Sequence, residues 1–249
     1  MSETTVTAAI LVIGDEILSG RTKDRNIGYI AEHLARIGVD LREVRVVPDD
    51  EDEIVAALNA LRARYDYLFT TGGIGPTHDD ITADAVAEAF GVGIGEDPRV
   101  IAMMQERYAP GDFTPARRRM ARIPHGADLI DNPVSKAPGF RIGNVMVMAG
   151  VPVVMQAMLD NAIKDVKGGA AMLTANVEAG NLPEGRYGDA LREIALARPA
   201  VSIGSYPSYD DGRFRNQIVV RSKDAAALAE ARAAVEAMVG RLKGDAAPL

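Results

Sequence analysis

The stretch Thr70-Thr71-Gly72-Gly73-Ile74-Gly75-Pro76-Thr77-His78-Asp79-Asp80-Ile81-Thr82 carries the residue types most suited to chemistry. Two adjacent glycines let a backbone approach a ligand closely, and a helix start behind them offers free N–H groups and a positive dipole end to an anion. The pattern reads as a phosphate cradle. It is not a Walker loop, because no Gly-Lys-Ser/Thr occurs in the chain, nor a Rossmann fingerprint, because the third glycine is missing at the required spacing. Asp79 and Asp80 would repel a bare anion, so the pair makes sense if a hard cation such as Mg²⁺ bridges carboxylate and phosphate oxygens. The alternative is that one of them caps the following helix. Among His33, His78 and His125, which are too scattered for a metal set, His78 is the plausible ligand contact.

Two further acidic groups stand near strand ends. Gly14-Asp15-Glu16 follows the first strand, with Asp24 and Asn26 at the next helix start, as ligand contacts or as caps. In Pro48-Asp49-Asp50-Glu51-Asp52-Glu53, Asp50 with Glu53 fits a capping box, which leaves Asp49 free for another role. Candidate cations for a phosphate are Arg21, Lys23, Arg25 and Lys136, whereas Arg117-Arg118-Arg119 reads as a solvated helix face. Lys136 is the residue expected to offset developing charge.

The elements that must position these groups alternate. Strand-like runs at Ala8 to Ile13, Val39 to Val47 and Tyr65 to Thr70 are separated by helical patterns at 26–37 and around Ile54, Leu58 and Leu61. Such spacing requires crossover connections, hence a mostly parallel sheet covered on both faces, and the class is α/β. Helices are expected at 81–90 and 98–108, a loop with one short helix over 111–138, strands at 139–142 and 145–148, and a helix from Pro152 to about Lys167. Gly91-Val92-Gly93-Ile94-Gly95 reads as a plain loop. Gly168-Gly169 looks like a hinge that divides residues 1–168 from a small α+β lobe, 169–249. In that lobe Asp210-Asp211-Gly212 is a hairpin turn signal.

Composition narrows the function classes. With 249 residues, 47% hydrophobic, 25% charged and no Cys, the chain is globular, without a disulfide framework, zinc ribbon or thiol nucleophile. The formal charge of −7 argues against nucleic-acid binding by bulk electrostatics. From Gly169 onward ten Lys and Arg balance ten Asp and Glu, so the imbalance, 18 basic against 25 acidic residues, lies before that point. The start lacks the basic region and length of a signal peptide, and no apolar run is long enough for a membrane span. The expected location is the cytoplasm.

The set Gly14-Asp15-Glu16-Ile17-Leu18-x-Gly20, Asp24-x-Asn26, Thr71-Gly72-Gly73-Ile74-Gly75-Pro76-Thr77-x-Asp79-Asp80-x-Thr82 and Gly150-Val151-Pro152 resembles the molybdopterin-binding domain. That domain is shared by molybdenum-cofactor biosynthesis proteins, gephyrin, the competence- and damage-inducible protein A, and part of some eukaryotic FAD synthases. The likeness covers about residues 8 to 166. Asn132-Pro133, Ala137-Pro138-Gly139-Phe140 and Gly204-Ser205-Tyr206-Pro207 match the competence-protein branch. The resemblance implies a three-layer α/β/α fold that binds a phosphorylated pterin (molybdopterin) or a nucleotide with Mg²⁺, and a KH-like second lobe. Together with the residue patterns above it implies ligand contacts at Gly14, Asp15, Glu16, Asn26, Thr71, Gly72, Gly73, Gly75, Pro76, Thr77, Gly150 and Pro152, to which the residues themselves add His78, with metal contacts at Asp15, Asp79 and Asp80. Asp49 and Asp80 match aspartates associated with adenylyl transfer to the pterin phosphate. The competence branch is linked to pyrophosphate cleavage of ADP-ribose or related nucleotides; a binding module without turnover is the alternative. The chain ends before the C-terminal amide-hydrolysing domain of longer relatives, so that activity is not expected. A homo-oligomer is expected by analogy. Gly185-Arg186-Tyr187-Gly188 imitates a GxxG loop, but it is expected to precede a helix in a neutral lobe, so RNA binding is not favoured.

Overall fold

A computed structural model describes residues 5–109, 111–210 and 213–244. They fall into two compact units that divide between Gly169 and Ala170. In the first unit β1 (Val6–Ile13), α1 (Asp15–Leu18), α2 (Asn26–Arg36), β2 (Val39–Val47), α3 (Glu51–Arg64) and β3 (Tyr67–Thr71) follow one another. Then come α4 (Thr82–Phe90), β4 (Ile94–Glu96), α5 (Pro98–Arg107), α6 (Pro115–Arg118), β5 (Arg122–Pro124) and β6 (Asp128–Ile130). The unit closes with β7 (Gly139–Ile142), β8 (Val145–Met148) and α7 (Pro152–Ala162).

The main sheet has the order β2-β1-β3-β8-β7-β6. β2, β1, β3 and β8 run parallel, and β7 and β6 extend the edge antiparallel. Alternation along the central strands divides the core between two faces. Ala9, Leu11, Ile13, Leu68, Val145 and Val147 pack against Ile54, Leu58 and Leu61 of α3 and Ala85 and Val86 of α4. Ala8, Ile10, Val12, Phe69, Met146 and Met148 meet Ile30 and Leu34 of α2 and Met155, Met158 and Leu159 of α7. Near-continuous apolar strands are what a sheet buried on both faces requires. The result is the expected three-layer α/β/α arrangement.

Several local expectations are corrected. The segment after β1 that holds Asp15 and Glu16 forms the short helix α1, and the segment expected as loop with one short helix over 111–138 contains β5 and β6. Strands of three residues are too short to show alternation. Gly91 is a left-handed helix end as a loop glycine would be, but Ile94–Glu96 pairs with Arg122–Pro124. The last helix of the unit ends at Ala162, and a 3₁₀ turn, Ile163–Asp165, replaces its extension towards Lys167. At the hinge glycines, a Cβ on Gly168 would collide with the Ile37 carbonyl oxygen, and the Gly169 N–H donates to that oxygen at 3.2 Å.

The second unit comprises β9 (Leu173–Gly180), α8 (Glu184–Leu196), β10 (Ser202–Asp210), β11 (Arg213–Ser222) and α9 (Ala225–Gly244). Its antiparallel sheet has the order β10-β11-β9. Val177, Ile218 and Val220 pack with Tyr187 of α8 and Val235 and Met238 of α9. Gly185-Arg186-Tyr187-Gly188 lies inside α8, with Tyr187 buried, so it is not a loop. Asp211 and Gly212 of the expected turn lie outside the described residues. No described helix is long and apolar enough to cross a membrane.

Candidate functional site

Four parallel strands end on the same side, and the order reverses about β1, whose neighbours are β2 and β3. Such a switch point opens a crevice beyond the carboxyl ends of the strands. A cavity of about 530 Å³ occupies it, within the range of small-molecule sites.

The loop after β3 forms the floor. Gly72 and Gly73 have φ of 107° and 66°. A Cβ on Gly72 would strike the Ile13 carbonyl, and one on Gly73 the Thr82 hydroxyl. Fully buried Thr82 closes the loop: its N–H donates to the Gly73 carbonyl at 3.0 Å and its hydroxyl to the Gly72 carbonyl at 3.0 Å. Gly72 N–H donates to the Met148 carbonyl, but the N–H groups of Gly73, Ile74 and Gly75 make no hydrogen bond among the described residues. All three residues line the cavity. Unused consecutive N–H groups suit a phosphate oxygen.

Carboxylates line the same space. Glu16, Asp49, Asp79 and Asp80 face the cavity with Gly14, Pro76, Gly150 and Pro152. Asp15 lies in the adjoining groove with Glu16, Asp49 and Asp79. Asp50 takes the capping role through Glu53 N–H at 3.1 Å, which releases Asp49. Asp49 Oδ2 accepts the Asp15 N–H at 3.0 Å and so ties the loop after β2 to the loop after β1. Burial pushes its carboxyl above the ordinary value, and the negative charges of Asp15, Glu16 and Asp79 add to the effect. Asp79 is held below the usual range by the Thr77 hydroxyl, its own backbone N–H and His78.

Several expected contacts serve the scaffold instead. Asp80 Oδ2 accepts both the Thr77 N–H at 2.8 Å and the Thr77 hydroxyl at 2.5 Å, and Gly75 has no Cβ to obstruct it. Thr77 therefore shapes the loop rather than lining the cavity. His78 has a side chain 98% exposed, with Nδ1 3.9 Å from Asp79 Oδ1. Asp24 caps α2 by accepting the N–H groups of Asn26 and Ile27, so that cap belongs to Asp24, not to Asn26. Asn26, 4% exposed, donates to the Gly150 carbonyl at 2.8 Å and lines a side cavity with Thr71. Lys136 is exposed at φ 64° and lines none of these spaces, so the charge-offsetting role expected of it lacks a geometric basis.

Among the described residues no three or more His, Cys, Asp or Glu side chains are grouped to hold a metal ion, so Asp15, Asp79 and Asp80 are not a ready-made cage. Mg²⁺ is commonly bound by one or two carboxylates together with substrate phosphates and water. The donors here fit an ion that arrives with a phosphate.

The walls carry no signal in the sequence. Ile74, Met120, Val151 and Met158 supply apolar surface, and Asn132, Ser135 and Ala137 close one side. Arg119 belongs to the run Arg117-Arg118-Arg119 that the sequence presents as a solvated helix face. Its neighbours are engaged, Arg118 with Glu96 and Arg117 with the Asp112 carbonyl, whereas Arg119 turns to a small cavity against Gly73 and Asp80.

Residues 9–167 match the family described as "Probable molybdopterin binding domain". The chain belongs to the molybdopterin-binding domain family. A CinA-like protein of Citrifermentans bemidjiense is 41% identical over 179 residues, 69% of this chain and 42% of that protein. A protein of Pyrobaculum arsenaticum is 34% identical over 210 residues, 80% of this chain and 79% of the relative. The crystal structure of the protein CinA of unknown function from Thermoplasma acidophilum aligns with a TM-score of 0.60 at 36% identity, over 64% of this chain and 96% of that one. Residues 173–243, in the second unit, match "FAD synthase, middle domain". The molybdopterin-binding domain thus contains every cavity-lining residue named above.

Proposed function

We propose that the chain binds a phosphorylated pterin or nucleotide and hydrolyses a phosphoanhydride such as that of ADP-ribose or FAD with Mg²⁺. The observation that carries this reading is the set of three unused N–H groups, Gly73 to Gly75, lining one cavity with Glu16, Asp49, Asp79 and Asp80. Backbone donors take the phosphoryl oxygens, and the apolar wall of Ile74, Met120, Val151 and Met158 receives the planar ring system. Asp49, with its raised carboxyl pKa, accepts a proton from the attacking water more readily than an ordinary aspartate. Water oxygen bonds to one phosphorus, the bridging P–O bond breaks, and two phosphomonoesters leave. Bound Mg²⁺ would supply charge neutralisation between the carboxylates and the phosphates.

The test is chromatographic detection of AMP from ADP-ribose with Mg²⁺. Asp49→Asn is expected to lower turnover by roughly 10²–10⁴-fold with binding largely kept, as for loss of a positioned base. Asp80→Asn tests the second aspartate while leaving an oxygen for Thr77. ADP-ribose that binds in calorimetry but yields no AMP would replace the hydrolase with the binding module, and turnover unaffected by both substitutions would remove these aspartates from the reaction.

A further inference from the structure

Arg119 lies in the 3₁₀ turn Arg119–Ala121, directly after α6. Its Nε is enclosed without a hydrogen-bond partner, and among the described residues its guanidinium makes no hydrogen bond or ion pair. The other basic residue of this cavity is engaged: Arg122 grips Asp84 with two bonds of 2.8 and 2.6 Å. A half-buried guanidinium left without an acceptor is costly, and its planar fork matches the oxygens of a phosphate.

The space beside Arg119 measures about 20 Å³, room for a single water-sized group. It shares Gly73, Ile74, Gly75, Asp80 and Met120 with the main cavity, so it forms a side arm of that cavity over the same unused N–H groups. We propose that this side arm is an anion subsite in which Arg119 binds one non-bridging oxygen of a phosphoryl group held above Gly73 to Gly75. The assignment rests on the phosphate-binding reading above and adds its cation. Asp84 is neutralised by Arg122, and Asp80 Oδ2 is occupied by Thr77, so of the two basic residues lining the side arm Arg119 is the one left to meet the ligand, while Arg21 lines the groove beside Asp15 and Lys23 and Arg25 line the side cavity beside Asn26.

The test titrates inorganic pyrophosphate into the full-length protein by calorimetry at low and raised salt, for wild type, Arg119→Met and Arg119→Lys. The expected result is affinity about tenfold or more weaker for Arg119→Met, with partial recovery in Arg119→Lys. A shallower salt dependence in Arg119→Met is the mark of a lost charge contact, which a purely structural role would not produce. Thermal unfolding checks the fold, and Arg119→Gln replaces Arg119→Met under the same criteria if the latter does not fold. Pyrophosphate affinity within twofold of wild type in the neutral variant, or no binding by wild type, overturns the subsite. ADP-ribose left uncleaved by a protein whose pyrophosphate binding depends on Arg119 overturns the hydrolase reading alone.

Discussion

At Gly72 and Gly73 the positive φ values and the collisions awaiting a Cβ act together, so neither position accommodates an ordinary side chain. Gly72→Ala is expected to lower stability by about 1–3 kcal/mol in urea titration and to weaken phosphate-ligand binding, because relief would displace the neighbouring N–H groups. Asp49 gives a prediction of opposite sign. Its native carboxyl holds a proton more tightly than the unfolded one, so the stability it contributes is present at pH below the ordinary value of 3.8 and is lost as pH rises through the raised native value. Urea midpoints should therefore show Asp49→Asn gaining on wild type as pH climbs through that window and the gap closing in acid. These roles were legible because glycine pairs and capping boxes are local patterns. Arg119 was not, since three consecutive arginines have no period that separates the one facing a cavity from the two engaged elsewhere.

The loop between β6 and β7 depends on one side chain. Asn132, 1% exposed, donates to Ser135 Oγ and the Ala137 carbonyl at 2.6 and 2.7 Å and accepts the N–H groups of Val134 and Ser135. Asn132→Ala strands buried partners, and a loss of about 2–3 kcal/mol in denaturant stability is expected, with ligand affinity falling because Ser135 and Ala137 line the cavity. Long elements were readable: β2, β7 and β8 begin and end where the residue pattern places them, β8 as an unbroken apolar run buried on both faces and β2, at the sheet edge, as β-branched residues interspersed with Asp40, Arg42, Glu43 and Arg45. β4, β5 and β6 were not, since three residues pair for tertiary reasons that leave no local trace.

For the whole molecule, each unit owns a core, and the cavity residues named here all belong to the first. A chain ending at Gly169 should therefore unfold cooperatively and keep its ADP-ribose affinity within a few-fold of the full chain; loss of binding in a well-folded fragment would assign the second unit a part in recognition. The parallel order of β2, β1, β3 and β8 brings loops far apart in sequence to one rim, which alternating strands and helices suggest, while the antiparallel edge of β7 and β6 had to be seen. The close stacking of those loops also bears on how the cleft can diversify. Gly150 sits so near Gly72 that an added Cβ would lie 3.3 Å from its Cα, so the base takes a new atom there only if Gly72 gives by a few tenths of an ångström. A change of guest is therefore written into Ile74, Met120 and Val151, and a library randomised at those three codons should yield altered ligand preference where one built on Gly72 and Gly73 yields misfolded chains.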